Sequence, residues 1–408
     1  MKYDFDTPVE RRGTYSLKWD IKDGELPMWV ADMEFQTAPE IRDAIMKRAE
    51  HGVFGYSVVP EEWYQAYIGW WKRRHHFEME KEWLIFCTGA IPAISTAVRK
   101  LTTPAENVVT LTPVYNIFFN SIFNNGRNVL ESPLAYRDGE YAVDFEDLEE
   151  KLSNPQTSLL LFCNPQNPAG KIWDEETMAK VGELCKKHHV IVISDELHCD
   201  LTAPGKEYTP FASVSEVCRE ISITCLAPSK AFNLAGLQSA AVMIPDATLR
   251  HKMWRALNTD EVAEPNAFAM AATIAAFDKG DCWLDELRTY IEENKRLVSD
   301  FIDSSLSQIR LVPSEATYLL WLDCTELIGK IRQKAVGSEG NMLVEESDID
   351  SEWLAGDIRV KTGLYLSDGK EYGGNGYDFL RMNIACPKCY VEKGLACLKK
   401  YVKYVEKM

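Results

Sequence analysis

The stretch EISITCLAPSKAFNLAGLQ, residues 220–238, joins a short apolar run to a loop of small residues. The apolar run predicts a buried strand that ends at Pro228, and Ser229 and Lys230 follow directly. A lysine at the end of a buried strand is partly desolvated, so some of it is unprotonated and nucleophilic near neutral pH. The stretch is therefore consistent with a lysine that forms a Schiff base. Taken alone, it fits the alternative, a surface lysine just past a strand, slightly better.

Short apolar runs alternate with amphipathic helical patterns on both sides of this stretch. Such strand–loop–helix repetition predicts an α/β fold with a mostly parallel central sheet and helices on both faces. In sheets of this kind, ligands bind beyond the carboxyl ends of the strands. The apolar runs are WLIFC (83–87), NVVTL (107–111), SLLLF (158–162), VIVIS (190–194), ISITC (221–225) and SAAVMI (239–244).

The C-terminal part has a different pattern, typical of a smaller α+β domain. A chain of 408 residues is too long for one simple core, so we expect more than one domain. Strand-like segments lie at 309–313, 316–324 and 379–387, and a last helix is predicted at 391–405. We predict an N-terminal arm with part of the small domain at 1–48, a large α/β domain at 49–285, a small α+β domain at 286–408, and loops at 337–352 and 369–376.

The composition excludes several classes of function. The formal net charge of −17 argues against binding to nucleic acid or to an anionic membrane surface. There is no apolar signal segment at the N-terminus and no run of 18 apolar residues, so we expect a cytoplasmic protein without a membrane span. Cys386 and Cys389 have CxxC spacing, but no second cysteine or histidine pair accompanies them, so we expect no metal site.

Polar or small residues follow several of the predicted strands. The turn Thr88–Ile91 precedes a helix, and its free N–H groups suit a phosphate, but any strand–helix turn contains small residues. The segment NPQNPAG, 164–170, is more specific, because two prolines direct the chain while asparagine amides project from a strand end. A plain proline-rich turn is the alternative there.

Asp195 ends the apolar run VIVIS, where a carboxylate is costly unless a cation pairs with it. A protonated heterocyclic nitrogen would be such a cation; a helix N-cap or a buried ion pair is the alternative. Asn167 lies 28 residues before Asp195, and Asp195 lies 35 residues before Lys230. Each interval is about the length of one strand–helix–strand crossover. We therefore expect these three side chains to converge on one cleft.

Three motifs, in this order and spacing, resemble the fold-type I pyridoxal-phosphate enzymes of the class I/II aminotransferase superfamily. They are NPQNPAG (164–170), SDELH (194–198) and APSKAFNLAGLQ (227–238). Within that superfamily, further segments resemble the branch of the cystathionine β-lyases and related carbon–sulfur lyases. These segments are WVADMEF (29–35), FGYS (54–57), ATYLLWLD (316–323) and FLRMNIACP (379–387).

The resemblance implies a role for each matching residue around pyridoxal 5'-phosphate. Lys230 would bond to the cofactor aldehyde and Asp195 would pair with the pyridine N–H. Asn167 would donate to the phenolate oxygen, while Tyr115 would stack on the ring and belong to the catalytic set. The remaining implied roles are phosphate binding by Ala90, Ile91 and Ser229, phosphate binding in the neighbouring subunit of a homodimer by Tyr56, and substrate binding by Arg381 and Ala31.

Two residues depart from the aminotransferase pattern. His198 stands where aminotransferases have a tyrosine that bonds to the phenolate oxygen, so its role is either that bond or simple stacking. Gln238 stands where many aminotransferases have a cationic phosphate ligand. At both positions this sequence resembles the lyase branch.

The resemblance implies β-elimination from an L-cysteine S-conjugate, with Lys230 as the general base at Cα. Transamination is the alternative, since the two reactions share their early steps and these residues serve both. A third hypothesis is a protein that keeps the fold only for binding or regulation. The intact set Asn167, Asp195, Lys230 and Arg381 argues against that third hypothesis.

Overall fold

A computed structural model describes residues 2–337 and 346–408 of the chain. The predicted loop at 337–352 therefore lies outside the described residues over 338–345. The predicted loop at 369–376 contains a short 3₁₀ turn at Lys370–Tyr372. A second 3₁₀ turn, Gly376–Asp378, begins at its last residue. Among the described residues, we find no helix that combines the length and apolar character needed to cross a membrane.

The strands agree closely with the apolar runs of the sequence. In chain order they are β1 Leu26–Pro27, β2 Leu84–Cys87, β3 Asn107–Thr112, β4 Asn128–Pro133, β5 Ala135–Arg137, β6 Glu140–Ala142, β7 Thr157–Cys163, β8 Ile191–Asp195, β9 Ser222–Leu226, β10 Ala240–Met243, β11 Arg310–Leu311, β12 Leu319–Asp323, β13 Leu364–Tyr365, β14 Ser367–Asp368 and β15 Phe379–Asn383.

The helices fill the intervals between these strands. In chain order they are α1 Pro39–Glu50, α2 Glu61–His75, α3 Ala90–Leu101, α4 Ile117–Phe123, α5 Phe145–Ser153, α6 Glu175–Lys187, α7 Phe211–Val214, α8 Glu216–Ile221, α9 Ala247–Thr259, α10 Ala269–Lys279, α11 Asp281–Ser305, α12 Thr325–Gly337, α13 Ser351–Thr362 and α14 Lys388–Lys407.

The central sheet has the strand order β2-β10-β9-β8-β7-β3-β4. Strand β10 is antiparallel to both of its neighbours, and the other pairs are parallel. This arrangement confirms the predicted mostly parallel sheet. Sequence analysis missed the edge strand β4, because its residues NVLESP form no apolar run and most of them keep solvent contact.

Helices cover both faces of the central sheet, as predicted. Alternate residues of one strand point to opposite faces, so neighbours such as Val108 and Val109 enter different cores. Val108 packs in a cluster with Ile94 of α3, whereas Val109 packs in a cluster with Leu148 of α5. Burial on both faces explains why these strands read as continuous apolar runs.

A smaller antiparallel sheet, β11-β12-β15-β14, lies in the C-terminal part of the chain. The long helix α11 leads into it from the large unit. Strand β1 pairs in parallel with β13, so the N-terminal segment returns to this C-terminal part. The predicted domain limits at residues 48 and 285 stay a prediction.

Gly170 provides a test of how the two parts of the chain fit together. Its φ is +71°, and an added Cβ would lie 2.3 Å from Ser314 Oγ and 2.7 Å from the Ala316 carbonyl oxygen. We expect Gly170→Ala to lower the free energy of unfolding by roughly 2 kcal/mol, because it adds strain and a steric clash. Denaturant unfolding measures the change. Gly329→Ala, in open space within α12, is the control and should not destabilise the protein.

Candidate active site

The candidate site lies at one edge of the central sheet, where the carboxyl ends of the parallel strands meet. Strand register aligns the ends of three neighbours, because Cys163 pairs with Asp195 and Asp195 pairs with Cys225. The end of β2 reaches the same edge, since β10 is antiparallel to both β2 and β9. The residues that follow these strands therefore share one cleft.

Lys230 extends from the loop after β9 towards the N-terminal segment. Its Nζ donates a hydrogen bond to the Ala31 carbonyl oxygen at 2.8 Å. Burial lowers the pKa of Lys230 to about 8, and the nearby Arg381 charge acts in the same direction, while Asp195 and Asp32 oppose it. At pH 7 about a tenth of such an amine is neutral, far more than of an ordinary lysine. This part of the site therefore holds a nucleophilic, basic amine.

Asp195, the last residue of β8, is a buried carboxylate. Its Oδ1 accepts a hydrogen bond from the Leu197 N–H at 3.2 Å. Burial raises the pKa of Asp195 to about 6, while the Leu197 N–H and the Lys230 charge act to lower it. Within residues 2–337 and 346–408, no cation forms an ion pair with this carboxylate. A cationic ligand nitrogen would supply the missing partner.

Asn167 and Arg381 bring the large unit and the small sheet into contact. Arg381 lies in β15, and its Nη1 donates to Asn167 Oδ1 at 3.2 Å. Its Nη2 donates to the Trp29 carbonyl oxygen at 2.9 Å. Within residues 2–337 and 346–408, its Nε is buried without a hydrogen-bond partner, and Asn167 Nδ2 donates to no other residue. The site thus combines an amide donor with a guanidinium that can bind a carboxylate.

The other predicted cofactor ligands lie around the same edge. Tyr115 follows β3, is half-buried, and has its pKa raised chiefly by burial. Ala90 and Ile91 form the first turn of α3, whose N–H groups have no intrahelical acceptors. Ser229 precedes Lys230 and is also half-buried. Helix N–H groups and a hydroxyl are suited to a phosphate.

His198 is buried within the site as a neutral imidazole. Burial lowers its pKa to about 3, and the charges of Lys230 and Arg381 lower it further. Its Nδ1 is buried and has no hydrogen-bond partner in the described part of the chain. The ring lies 6.2 Å from the Tyr318 ring in an edge-on arrangement. An unpartnered ring nitrogen in a cleft fits a polar ligand, as the resemblance suggests.

The segment Trp29–Met33, which the resemblance already singled out through Ala31, forms a strap whose backbone carbonyls contact the site residues; sequence reasoning did not predict these backbone contacts. The Tyr318 hydroxyl donates to the Ala31 carbonyl at 3.0 Å, beside the bond from Lys230. Asn383 Nδ2 donates to the carbonyl of Asp32 at 2.7 Å and also to that of Val30. Every residue has a backbone carbonyl, so the sequence does not mark which carbonyls accept a hydrogen bond. The polar donors inside apolar strands are the only sequence feature that could have indicated the contact with the strap.

Two residues singled out from the sequence are exposed to solvent. Tyr56 is fully exposed, at 102% of its reference area, and forms no hydrogen bond or ring contact with the described part of the chain. Gln238 is exposed at the end of a 3₁₀ turn, with a φ of +50°.

The donor set fits pyridoxal 5'-phosphate. Asp195 would pair with its ring nitrogen, Asn167 and His198 offer polar atoms at the ring, and Lys230 offers the amine for its aldehyde. The first turn of α3 and Ser229 would bind its phosphate. The orphaned Nδ1 of His198 and the unpaired buried carboxylate are the observations that favour this fit.

The chain belongs to the aminotransferase class I and II family, whose profile matches residues 28–397. This match confirms the predicted superfamily. The chain is 41% identical to cystathionine beta-lyase PatB of Bacillus subtilis (strain 168), over 97% of this chain and 98% of that protein. It is 31% identical to protein MalY of Escherichia coli (strain K12), over 97% and 98% of the two chains.

Solved structures confirm the predicted fold type. Cystalysin from Treponema denticola, which contains a pyridoxal 5'-phosphate cofactor, superposes with a TM-score of 0.90. It is 30% identical, and the match covers 99% of this chain and 100% of that one. A PLP-bound putative aminotransferase from Clostridium difficile 630 also has a TM-score of 0.90, at 33% identity over 98% and 100% of the two chains.

The influence of Arg381 on Lys230 can be measured. We expect Arg381→Met to raise the pKa of Lys230 above about 8, because it removes a positive charge that disfavours the ammonium. The pH dependence of the rate at which cofactor-free protein takes up pyridoxal 5'-phosphate reports this pKa. Arg296→Met, at an exposed position, is the control. An identical pH profile for both variants would contradict the assignment.

Proposed function

We propose that this chain is a pyridoxal-phosphate-dependent carbon–sulfur β-lyase. It cleaves an L-cysteine S-conjugate such as L-cystathionine to a thiol, pyruvate and ammonia. The observation that carries the proposal is Lys230, a desolvated amine set among Asp195, Asn167 and Arg381 at the carboxyl edge of the sheet. The similarity to PatB over nearly the whole chain supports the lyase assignment.

Binding of the cofactor would use charges already present in the site. When bound, pyridoxal 5'-phosphate supplies an electron-accepting ring that stabilises negative charge at the substrate Cα. Asp195 would keep the ring nitrogen protonated, because a buried carboxylate gains strongly from a cation beside it. Tyr115 and the Nδ2 group of Asn167 would hold the ring.

Lys230 acts as the general base and then as a proton donor. Its low pKa leaves a neutral amine that accepts the proton from Cα. The hydrogen bond to the Ala31 carbonyl orients that amine. Arg381 binds the substrate carboxylate, and the protonated Lys230 supplies a proton to the departing sulfur. The aminoacrylate that leaves the site takes up water and yields pyruvate and ammonia.

Transamination is the second candidate function. The family name and the putative aminotransferase of Clostridium difficile favour it. Both reactions require Lys230 to remove the Cα proton, so the site residues serve either one. They differ in whether a thiolate leaves from Cβ, which a product assay detects directly.

The proposal includes a homodimer in the cytoplasm. The segment Val53–Val58 exposes Phe54 at 54%, Tyr56 at 102% and Val58 at 79% of their reference areas. Apolar residues exposed together in this way are typical of an interface. The resemblance implies that Tyr56 would reach the phosphate in a neighbouring subunit. The cysteines are free and mostly buried, which supports a reducing compartment.

The lyase reaction is tested with purified holoenzyme and L-cystathionine in the absence of any oxo acid. We expect thiol, pyruvate and ammonia in equal amounts. Lys230→Ala should lower the rate by roughly 10³-fold, because it removes the general base. Lys295→Ala is the control, because it removes another buried lysine, hydrogen-bonded to Ser314, that has no proposed catalytic role. It shows how much activity is lost through destabilisation of the fold alone. Product formation only after an oxo acid is added would establish transamination instead.

Tyr56 is tested by subunit complementation. Tyr56→Ala and Lys230→Ala are expected to be inactive separately, the first through weak phosphate binding. In a mixed dimer, one site combines the native Lys230 with the native Tyr56 of the other subunit. Random mixing in equal amounts should restore about a quarter of the wild-type activity. Activity no higher than that of the separate variants would contradict a shared site.

A further inference from the structure

Glu371 lies at the rim of the candidate site, and none of the roles assigned above uses it. Its Oε2 accepts a hydrogen bond from Asn116 Nδ2 at 2.8 Å. Asn116 directly follows Tyr115 in the chain. The carbonyl of the next residue, Tyr372, accepts the Val114 N–H at 2.8 Å. Two contacts therefore hold this loop against the end of β3.

The same loop also lies against Arg381. The Tyr372 ring is 4.9 Å from the Arg381 guanidinium, which places Glu371 one residue from a direct contact with the predicted carboxylate-binding group. Although Glu371 is exposed as a residue, its carboxyl group is partly desolvated, which raises its pKa; the neighbouring Asp368 adds to this, whereas the charge of Arg381 acts in the opposite direction. The carboxylate of Glu371 is thus within electrostatic reach of Arg381.

The groups around Arg381 differ in their exposure to solvent. Asn167 and Tyr372 are buried, at 3% and 1% of their reference areas. Tyr115 and Asn116 are half-buried, and Glu371 is exposed. Within residues 2–337 and 346–408, the Nε of Arg381 is buried without a hydrogen-bond partner, which favours a ligand at this position. Exposure therefore rises from the groups at Arg381, through Tyr115 and Asn116, to Glu371.

The charge of Glu371 is not neutralised by its neighbours. Lys370 pairs instead with Asp350 at 3.0 Å and with Glu352 at 2.9 Å. Among residues 2–337 and 346–408, no cation forms an ion pair with Glu371. Asn116 orients the carboxylate without cancelling its charge, so the carboxylate can receive a positively charged group from a ligand.

We propose that Glu371 is a specificity-determining residue that receives an ammonium group at the far end of the substrate's S-substituent. The enzyme then prefers L-cysteine S-conjugates with a cationic tail over those with an anionic tail. This inference rests on the proposed lyase function and adds the class of conjugate. An exposed carboxylate discriminates modestly, by attraction of one charge and repulsion of the other.

The test compares three S-conjugates of similar length that differ in tail charge. They are S-(2-aminoethyl)-L-cysteine, S-propyl-L-cysteine and S-carboxymethyl-L-cysteine, assayed by pyruvate formation with the holoenzyme. We expect kcat/KM to fall in that order. Glu371→Gln should lower the value for the aminoethyl conjugate about three- to fivefold, raise it for the carboxymethyl conjugate, and leave the propyl conjugate within about twofold.

Glu326→Gln is the matched control, because it makes the same change of net charge on α12. Glu371→Lys should reverse the preference between the two charged conjugates. Equal effects of Glu371→Gln on all three conjugates, or an equal shift in the Glu326→Gln control, would overturn the inference.

Ligand binding separates this inference from the lyase proposal. If no conjugate yields pyruvate, the lyase proposal fails, and the dissociation constants of the same three amino acids then decide the role of Glu371. A Glu371-dependent preference for the aminoethyl ligand supports the inference in that case. Binding that is indifferent to tail charge overturns it.

Discussion

One hydrogen bond, from Lys230 Nζ to the Ala31 carbonyl, joins the N-terminal strap to the reactive end of the central sheet. Ion pairs tie the strap and the residue after it to the preceding segment. Lys18, only 1% exposed, pairs with Glu34 at 2.7 Å, and the half-buried Arg11 pairs with Asp32 at 2.7 Å. These ion pairs help to hold the Ala31 carbonyl beside Lys230.

The site depends on charges that burial makes costly. Asp195 has no described ion-pair partner, and the next residue, Glu196, is also buried. Burial raises the pKa of Glu196 to about 7, although Tyr208, Ser194 and the Phe211 N–H all donate to it and act to lower the pKa. Three donors thus satisfy Glu196 internally, whereas the Asp195 carboxylate accepts one hydrogen bond within the described part of the chain, from the Leu197 N–H. This difference in donors is consistent with the proposed role of Asp195 beside a cationic ligand.

Much of the fold and part of the site could be predicted from the sequence. Strands β2, β3, β7, β8, β9 and β10 coincide with apolar runs, because burial on both faces demands continuous apolar residues. Strand β4 could not be found, since an edge strand needs no such run. Asp195 and Lys230 stood out because they follow apolar runs, Asn167 because of its proline-flanked motif, and Arg381 only through the family resemblance. The structure brings the four together at one edge. Their chemical roles stay proposals.

By itself, the sequence determined the alternation of strands and helices, the superfamily and the polar groups at the strand ends. Only the tertiary structure decided that the Ala31 carbonyl meets Lys230, that Tyr318 shares this acceptor, and that Asn116 orients Glu371. The physical reason is that local patterns record which face of an element is buried. Contacts between backbone carbonyls and residues far apart in the chain leave no periodic trace, so they emerge only when the elements pack.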